Sequence, residues 1–233
     1  MSGAAPGPVL ALDASTLRAC AALLAADGTP WGCWQQPADE PGTAPLAAGV
    51  AGLLEARGLR APDLLGLAVG IGPGSYTGTR AAVALARGLA FAGGVRLAAV
   101  ASPAAAARGE FRRNAAARAV IVVLDARRGE AYRADYTRGD VRAGDLVGAE
   151  GLPLESAPPR LVAGPDADPR PTDPSLFVLR EPIPDPYDVA AVGRARLLLG
   201  GDPPEVVRPL YLKRSHAEIV FDERVGSQGL GRD

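Results

Sequence analysis

The chain contains 233 residues with a formal net charge of −1, 48% hydrophobic and 5% aromatic side chains, enough for one large domain or two small lobes that bury roughly 70 to 75% of the unfolded surface. The charge balance gives no global field for nucleic acid, and the Ala, Arg, Gly and Pro bias carries no functional signal. Two cysteines and a single histidine, His216, argue against a disulfide framework, a zinc or paired-histidine site and a Ser-His-Asp triad in the body of the fold; with no signal-like start and no eighteen consecutive apolar residues, the chain reads as cytoplasmic.

Val9-Leu10-Ala11-Leu12-Asp13 is an apolar strand ending in an acid, followed by Ala14-Ser15-Thr16. Strands over 20–25 and 31–35 flank Asp27-Gly28, a hairpin signal, and both Cys20 and Cys33 then read as small buried hydrophobes. Residues 44–57 read as a helix with Leu46, Val50, Leu53 and Leu54 on its apolar face and Gly58 as a stop. A strand over 64–69 runs into Gly70-Ile71-Gly72-Pro73-Gly74-Ser75-Tyr76-Thr77-Gly78-Thr79-Arg80, and an alanine-rich helix over 81–91 leads out.

Glycines in such a loop permit close approach of an anion or of another chain segment, and a helix N-terminus favours phosphate. Neither nucleotide fingerprint is met. A Walker loop needs Lys before its Ser or Thr, and the Rossmann pattern needs Gly where Ser75 stands. A phosphate cradle and a plain turn that lays the helix on its strand both fit. Along that helix Ala82, Leu85, Ala86 and Leu89 make a core stripe. Ala81, Ala84 and Gly88 make a second stripe almost without side chains, suited to close packing against another helix, internal or from a partner.

A strand over 95–100 follows, and Ser102-Pro103 opens a helix as N-cap and first-turn proline. Arg108, Arg112, Arg113 and Arg118 read as a solvated basic face. Three strands followed by alternating helices and strands predict a mixed α/β sheet covered by helices. A second unit begins at 120–125, turns at Arg127-Arg128-Gly129 and returns from Glu130 to about Tyr136. Dense prolines between 153 and 174 predict irregular chain with one short strand at 161–163. Asp185-Pro186 caps a last helix over 189–199, Leu210-Tyr211-Leu212 is an apolar anchor, and 225–233 reads as disordered. No sequence repeat is present, but a strand ending in Asp recurs at Leu12-Asp13 and Leu124-Asp125.

Four segments, in this order, resemble the TsaB (YeaZ) family: Leu10-Ala-Leu-Asp13-Ala-Ser15-Thr16, Val69-Gly-Ile-Gly-Pro-Gly-Ser75-Tyr-Thr-Gly78-Thr-Arg80, Val123-Leu-Asp125-Ala-Arg127-Arg-Gly-Glu130-Ala-Tyr132 and Pro209-Leu-Tyr211-Leu-Lys213-Arg214. The resemblance implies a two-lobed, actin-like ATPase fold (ASKHA, ribonuclease H-like), with mixed sheets flanked by helices and a shortened second lobe. The lobes would span 1–108 and 109–214, with 215–233 a disordered tail. It also implies a non-catalytic assembly subunit that pairs with the related catalytic subunit TsaD and works with the ATPase TsaE. Together they move threonylcarbamoyl onto the adenosine beside the anticodon of tRNAs reading codons that begin with adenine. Homodimers are a further family property; ATP or ADP and metal belong to the partner subunits, and this chain would hold none alone.

In an actin-like ATPase the first strand delivers an acid and small hydroxyls to phosphates and metal. Asp13, Ser15 and Thr16 take that place here, with Gly72, Gly74 and Ser75 completing a vestigial phosphate site. Asp125 is followed by Ala126-Arg127 where an Asp-x-Gly turn should begin the second lobe, so nucleotide binding should be weak or absent. Catalytic relatives hold metal through histidines on the first long helix, and 44–57 has none; the His that members commonly carry before it is replaced by Pro41-Gly42-Thr43-Ala44-Pro45. The expected docking face comprises Leu46, Val50, Ala81, Ala84, Leu85 and Gly88. Arg80 is expected to pair with an acid of its own lobe, and Asp125, Arg127 and Glu130 to brace the lobes or touch a partner. Two alternatives stand beside this reading: a small-molecule kinase or ATPase anchoring metal through Asp13, and a metal-dependent, glycoprotease-like peptidase with Glu40, Glu55 and Asp63 as ligands.

Overall fold

The computed structural model describes residues 7–40, 42, 44–138, 159–170 and 173–212. Pro41, Thr43, Lys213, Arg214, His216 and the expected tail at 215–233 lie outside them. Strand β1 (Val9–Asp13) is buried along its whole length, which is why Val9, Leu10, Ala11 and Leu12 are apolar without alternation. It pairs antiparallel with β2 (Cys20–Leu24), and β2 with β3 (Pro30–Gln35) across the Asp27-Gly28 turn. On its other side β1 runs parallel to β4 (Gly66–Gly70), and β4 to β5 (Arg96–Val100), giving the order β3-β2-β1-β4-β5. Parallel neighbours need crossovers. Helix α1 (Ala44–Glu55) leads to β4, and α2 (Tyr76–Gly93) joins β4 to β5. Both lie over one face of the sheet, on a core of Leu10, Leu12, Leu23, Leu67 and Val69.

Helix α3 (Ser102–Arg113) carries the chain to a second sheet, formed by β6 (Ala119–Arg127), β7 (Glu130–Thr137), β8 (Arg160–Ala163) and β9 (Leu176–Arg180) in the order β8-β7-β6-β9. Its pairings are antiparallel for β6–β7 and β7–β8 and parallel for β6–β9. The second sheet therefore repeats the β3-β2-β1-β4 pattern of the first, one strand short. Two sheets of this pattern with helices between them make the two-lobed actin-like ATPase (ASKHA, ribonuclease H-like) fold with a shortened second lobe.

The repeat extends to the turns. Each leading strand carries an Asp at or near its end whose Oδ1 accepts the backbone N–H two residues on, Ser15 to Asp13 and Arg127 to Asp125, both at 2.7 Å. Where the first lobe would call for its fifth strand, the second instead sends the chain back. Helix α4 (Pro186–Leu198) is capped by Asp185, whose side chain accepts from Tyr187 N–H, and lies on the free face of the first sheet over Val9, Ala11, Ala68, Ala98 and Val100. It is apolar on most sides because it is covered on most sides. Beyond it, Asp202 bridges to Leu97, Leu210 N–H donates to Ile71 O at 2.8 Å, and the Tyr211 ring sits 5.2 Å from that of Tyr76.

Several expectations are corrected. The basic run on α3 is not simply a solvated face: Arg108, only 14% exposed, and Arg112 both bind Asp188 of α4, whose carboxylate is fully buried. Arg112 reaches Asp188 at 3.1 Å and Asp185 at 3.0 Å, so α3, seated on the second sheet, is pinned to α4, seated on the first. Ala101, not Ser102, is the N-cap of α3. Cys20 is buried, but Cys33 sits exposed on the edge strand β3. Strand β9 has no sequence expectation behind it.

Candidate functional site

The loop between β4 and α2 wraps one carboxylate. Asp13 is 1% exposed. Its Oδ1 accepts from Ser15 N–H, and its Oδ2 accepts the Ser102 hydroxyl at 2.6 Å. Ser102 in turn grips Gly72 twice: its Oγ accepts Gly72 N–H at 3.2 Å, and its own N–H donates to Gly72 O at 3.0 Å. On the other side Ser75 N–H donates to Ser15 O at 2.6 Å. A Cβ at Gly74 would overlap the Ser15 carbonyl, and one at Gly78 the Ala14 carbonyl. The glycines thus let the loop press against the chain's own backbone. Ser75 is the N-cap of α2, accepting Gly78 N–H at 3.1 Å on its hydroxyl.

This arrangement does not suit a metal-anchoring acid. Both carboxylate oxygens already accept hydrogen bonds inside the protein, and a Cβ at Gly70 would overlap Oδ2, so the group is hemmed in from β4 as well. Burial pushes the Asp13 carboxyl above the ordinary carboxylate range, against the stabilising contacts of Ser102 and Ser15. Asp13 is thus buried and hydrogen-bonded inside the protein at the end of the first strand.

Between the lobes lies a cleft of about 740 Å³ whose walls include Ser15, Thr16, Ser75, Tyr76, Asp125 and Arg127. The far wall is the β6–β7 hairpin. Its two-residue loop, Arg128-Gly129, has φ of 61° and 76°, and Arg127 before it bulges at φ 67°. Arg127 pairs with Asp125 at 3.1 Å, and Glu181, itself at φ 48°, accepts Asp125 N–H. Asp125 and Arg127 thus brace each other and β9, while Glu130 begins β7 opposite Arg127. Arg80, expected against an acid, instead donates to the Tyr76 hydroxyl at 2.6 Å with its guanidinium 5.1 Å from that ring.

Of the expected docking residues, Leu46 (1% exposed) and Val50 (2% exposed) are corrected: they belong to the core beneath α1. The outward face of α1 carries Ala47, Ala48, Ala51 and Gly52 instead. On α2, Ala84 and Gly88 are exposed, Ala81 and Leu85 half-buried, and nothing lies within 4 Å of where a Gly88 Cβ would stand. The same stripe ends in Phe91, 85% exposed. Glu40, Glu55 and Asp63 do not converge; among the described residues no three acid, histidine or cysteine side chains form a metal-holding group.

A family model described as TsaD, tRNA N6-adenosine threonylcarbamoyltransferase, matches residues 45–156. The tRNA threonylcarbamoyladenosine biosynthesis protein TsaB of Escherichia coli is 36% identical over 132 residues, 57% of this chain and 56% of that protein. An uncharacterised protein of Mycobacterium bovis is 33% identical over 156 residues, 67% of each chain. The solved structure of YeaZ from Pseudomonas aeruginosa superposes with a TM-score of 0.69 at 27% identity, over 88% of this chain and all of that one. The chain belongs to the TsaB (YeaZ) family. The match to E. coli TsaB spans little more than half of that relative's length.

Within this TsaB-family chain, sequence reasoning missed three residues. Ser102 was legible only as a cap, because its partners Asp13 and Gly72 are distant in sequence. Asp188 carries no local signal at all. Phe91 did have one: it continues the 81, 84, 88 spacing by three more residues.

Proposed function

We propose that this chain is a non-catalytic assembly subunit of a complex that transfers threonylcarbamoyl to the adenosine beside the tRNA anticodon, and that it docks a TsaD-type catalytic relative through the outward faces of α1 and α2. The observation that carries the reading is the pair of exposed, nearly side-chain-free stripes over one face of the first sheet, Ala47, Ala51 and Gly52 on α1 and Ala84, Gly88 and Phe91 on α2. Small residues let helices approach closely, and an aromatic at the edge supplies an anchor. The TsaD family match covers both helices, which favours pairing of like with like. The internal use of Asp13 speaks for the accessory role and against the kinase alternative. An ATPase of the TsaE type and tRNA would join through the complex, nucleotide and metal would sit in the partner subunits, and a homodimer would use the same face in the absence of TsaD.

The test is co-purification with the TsaD-type subunit of the same organism, followed by a modification assay on tRNA with and without this chain. Ala84→Trp should keep the native circular dichroism spectrum and lose co-purification. Retention of the complex by that variant would remove the docking assignment, and tRNA modification by the isolated chain would remove the accessory one.

A further inference from the structure

We propose that Asp13 and Ser102 are positioning residues that set the placement of the docking helix α2. This rests on the docking reading above and deepens it. The Gly72–Ser75 loop is tied at both ends to the two oxygens of one carboxylate. From Oδ2 the tie runs through the Ser102 hydroxyl to Gly72, at 2.6 and 3.2 Å, and is doubled by Ser102 N–H to Gly72 O. From Oδ1 it runs through Ser15 N–H, at 2.7 Å, and then from Ser15 O to Ser75 N–H at 2.6 Å. Ser75 is the residue from which α2 starts: its hydroxyl accepts Gly78 N–H, and its carbonyl accepts both the N–H and the hydroxyl of Thr79. The first turn of α2 therefore hangs on Asp13 through two short chains of hydrogen bonds. Without the Ser102 hydroxyl the Gly72 end keeps only the backbone N–H of residue 102; it loosens, the helix start loosens with it, and the docking stripe is less preorganised for its partner.

The affinity of the full chain for the TsaD-type subunit is measured by calorimetry for wild type, Ser102→Ala, Ser102→Thr, Asp13→Ala and Asp188→Asn, beside hydrogen exchange at the Gly72 and Ser75 amides. Ser102→Ala should bind about tenfold more weakly, the loss of roughly one preorganising hydrogen bond, with faster exchange at both amides. Ser102→Thr, which keeps the hydroxyl, should restore both. Asp188→Asn weakens the fold elsewhere and should bind like wild type, separating positioning from mere stability. Wild-type affinity in Ser102→Ala, or an equal loss in Asp188→Asn, overturns the proposal; Ser102→Ala decides it even where Asp13→Ala does not fold. If Ala84→Trp leaves binding intact, the docking reading fails, and the exchange rates in Ser102→Ala then decide the positioning claim alone, unchanged protection overturning it.

Discussion

Replacing Asp188 by Asn tests whether the two lobes are held together by one buried charge. Its carboxylate is wholly buried and takes Arg108, 14% exposed, together with Arg112 Nε at 3.3 Å and Nη2 at 3.1 Å. Removing one partner of a buried pair leaves the other charged and desolvated, at a cost of about 3–5 kcal/mol. Arg112 adds little to that figure, because it is half-exposed and keeps Asp185. For a chain of this size each kcal/mol moves the melting temperature by about 2–4 °C, so Asp188→Asn should melt about 6–20 °C lower, followed by circular dichroism. Raising the salt should change that difference little, since a buried pair is poorly screened. Removing both charges with Arg108→Met and Asp188→Leu should recover most of the loss. A melting point for Asp188→Asn within about 2 °C of wild type, or a double variant no better than the single, would refute the reasoning.

Asp13→Asn should gain on wild type as the pH rises. The folded carboxyl titrates above its unfolded value of 3.8; the native state holds the proton longer, and wild-type stability falls as pH climbs from 3.8 through the folded value. Melts of both proteins at pH 4 and pH 7 should show the difference moving in favour of Asn, and the opposite drift would count against a desolvated acid. Two glycines of α2 should respond with opposite signs in urea unfolding. Gly78→Ala, driven into the Ala14 carbonyl, should lose about 1–3 kcal/mol, while Gly88→Ala, facing open space, should gain about 0.5–1 kcal/mol. Arg128→Asn, at φ 61° before Gly129, should stabilise the hairpin by about 0.5–1 kcal/mol in the same assay.

What the sequence discloses follows the range of the interactions. The strand over Val9–Asp13, the glycine loop, the hairpin turns and the Asp185 cap are local patterns, and each lies where the spacing puts it. The proposed docking face was half legible. On α2 the core and outward stripes separate cleanly, whereas on α1 the leucines are the core and the outward side is only Ala and Gly, residues that give no sign of direction. Strand β9 is hidden because it follows a proline-dense stretch and pairs parallel with β6, more than fifty residues away by the Ala119↔Leu176 register. Asp13 stands out at a strand end, but its hydrogen bond from Ser102, 89 residues on, leaves no local sign.

The placement of α4 bears on how the polypeptide is made. By the time a ribosome has added Arg180, all strands of both sheets exist, yet Val9, Ala11, Ala68, Ala98 and Val100 still lack the helix that shields them from water. Among the described residues, the core around Phe111, Val120, Val122 and Tyr136 draws on nothing beyond β9. The half synthesised first is therefore the half completed last, reversing the usual vectorial order, and a product cut short before Pro186 would leave synthesis with a bare apolar sheet face, open to chaperones and to aggregation.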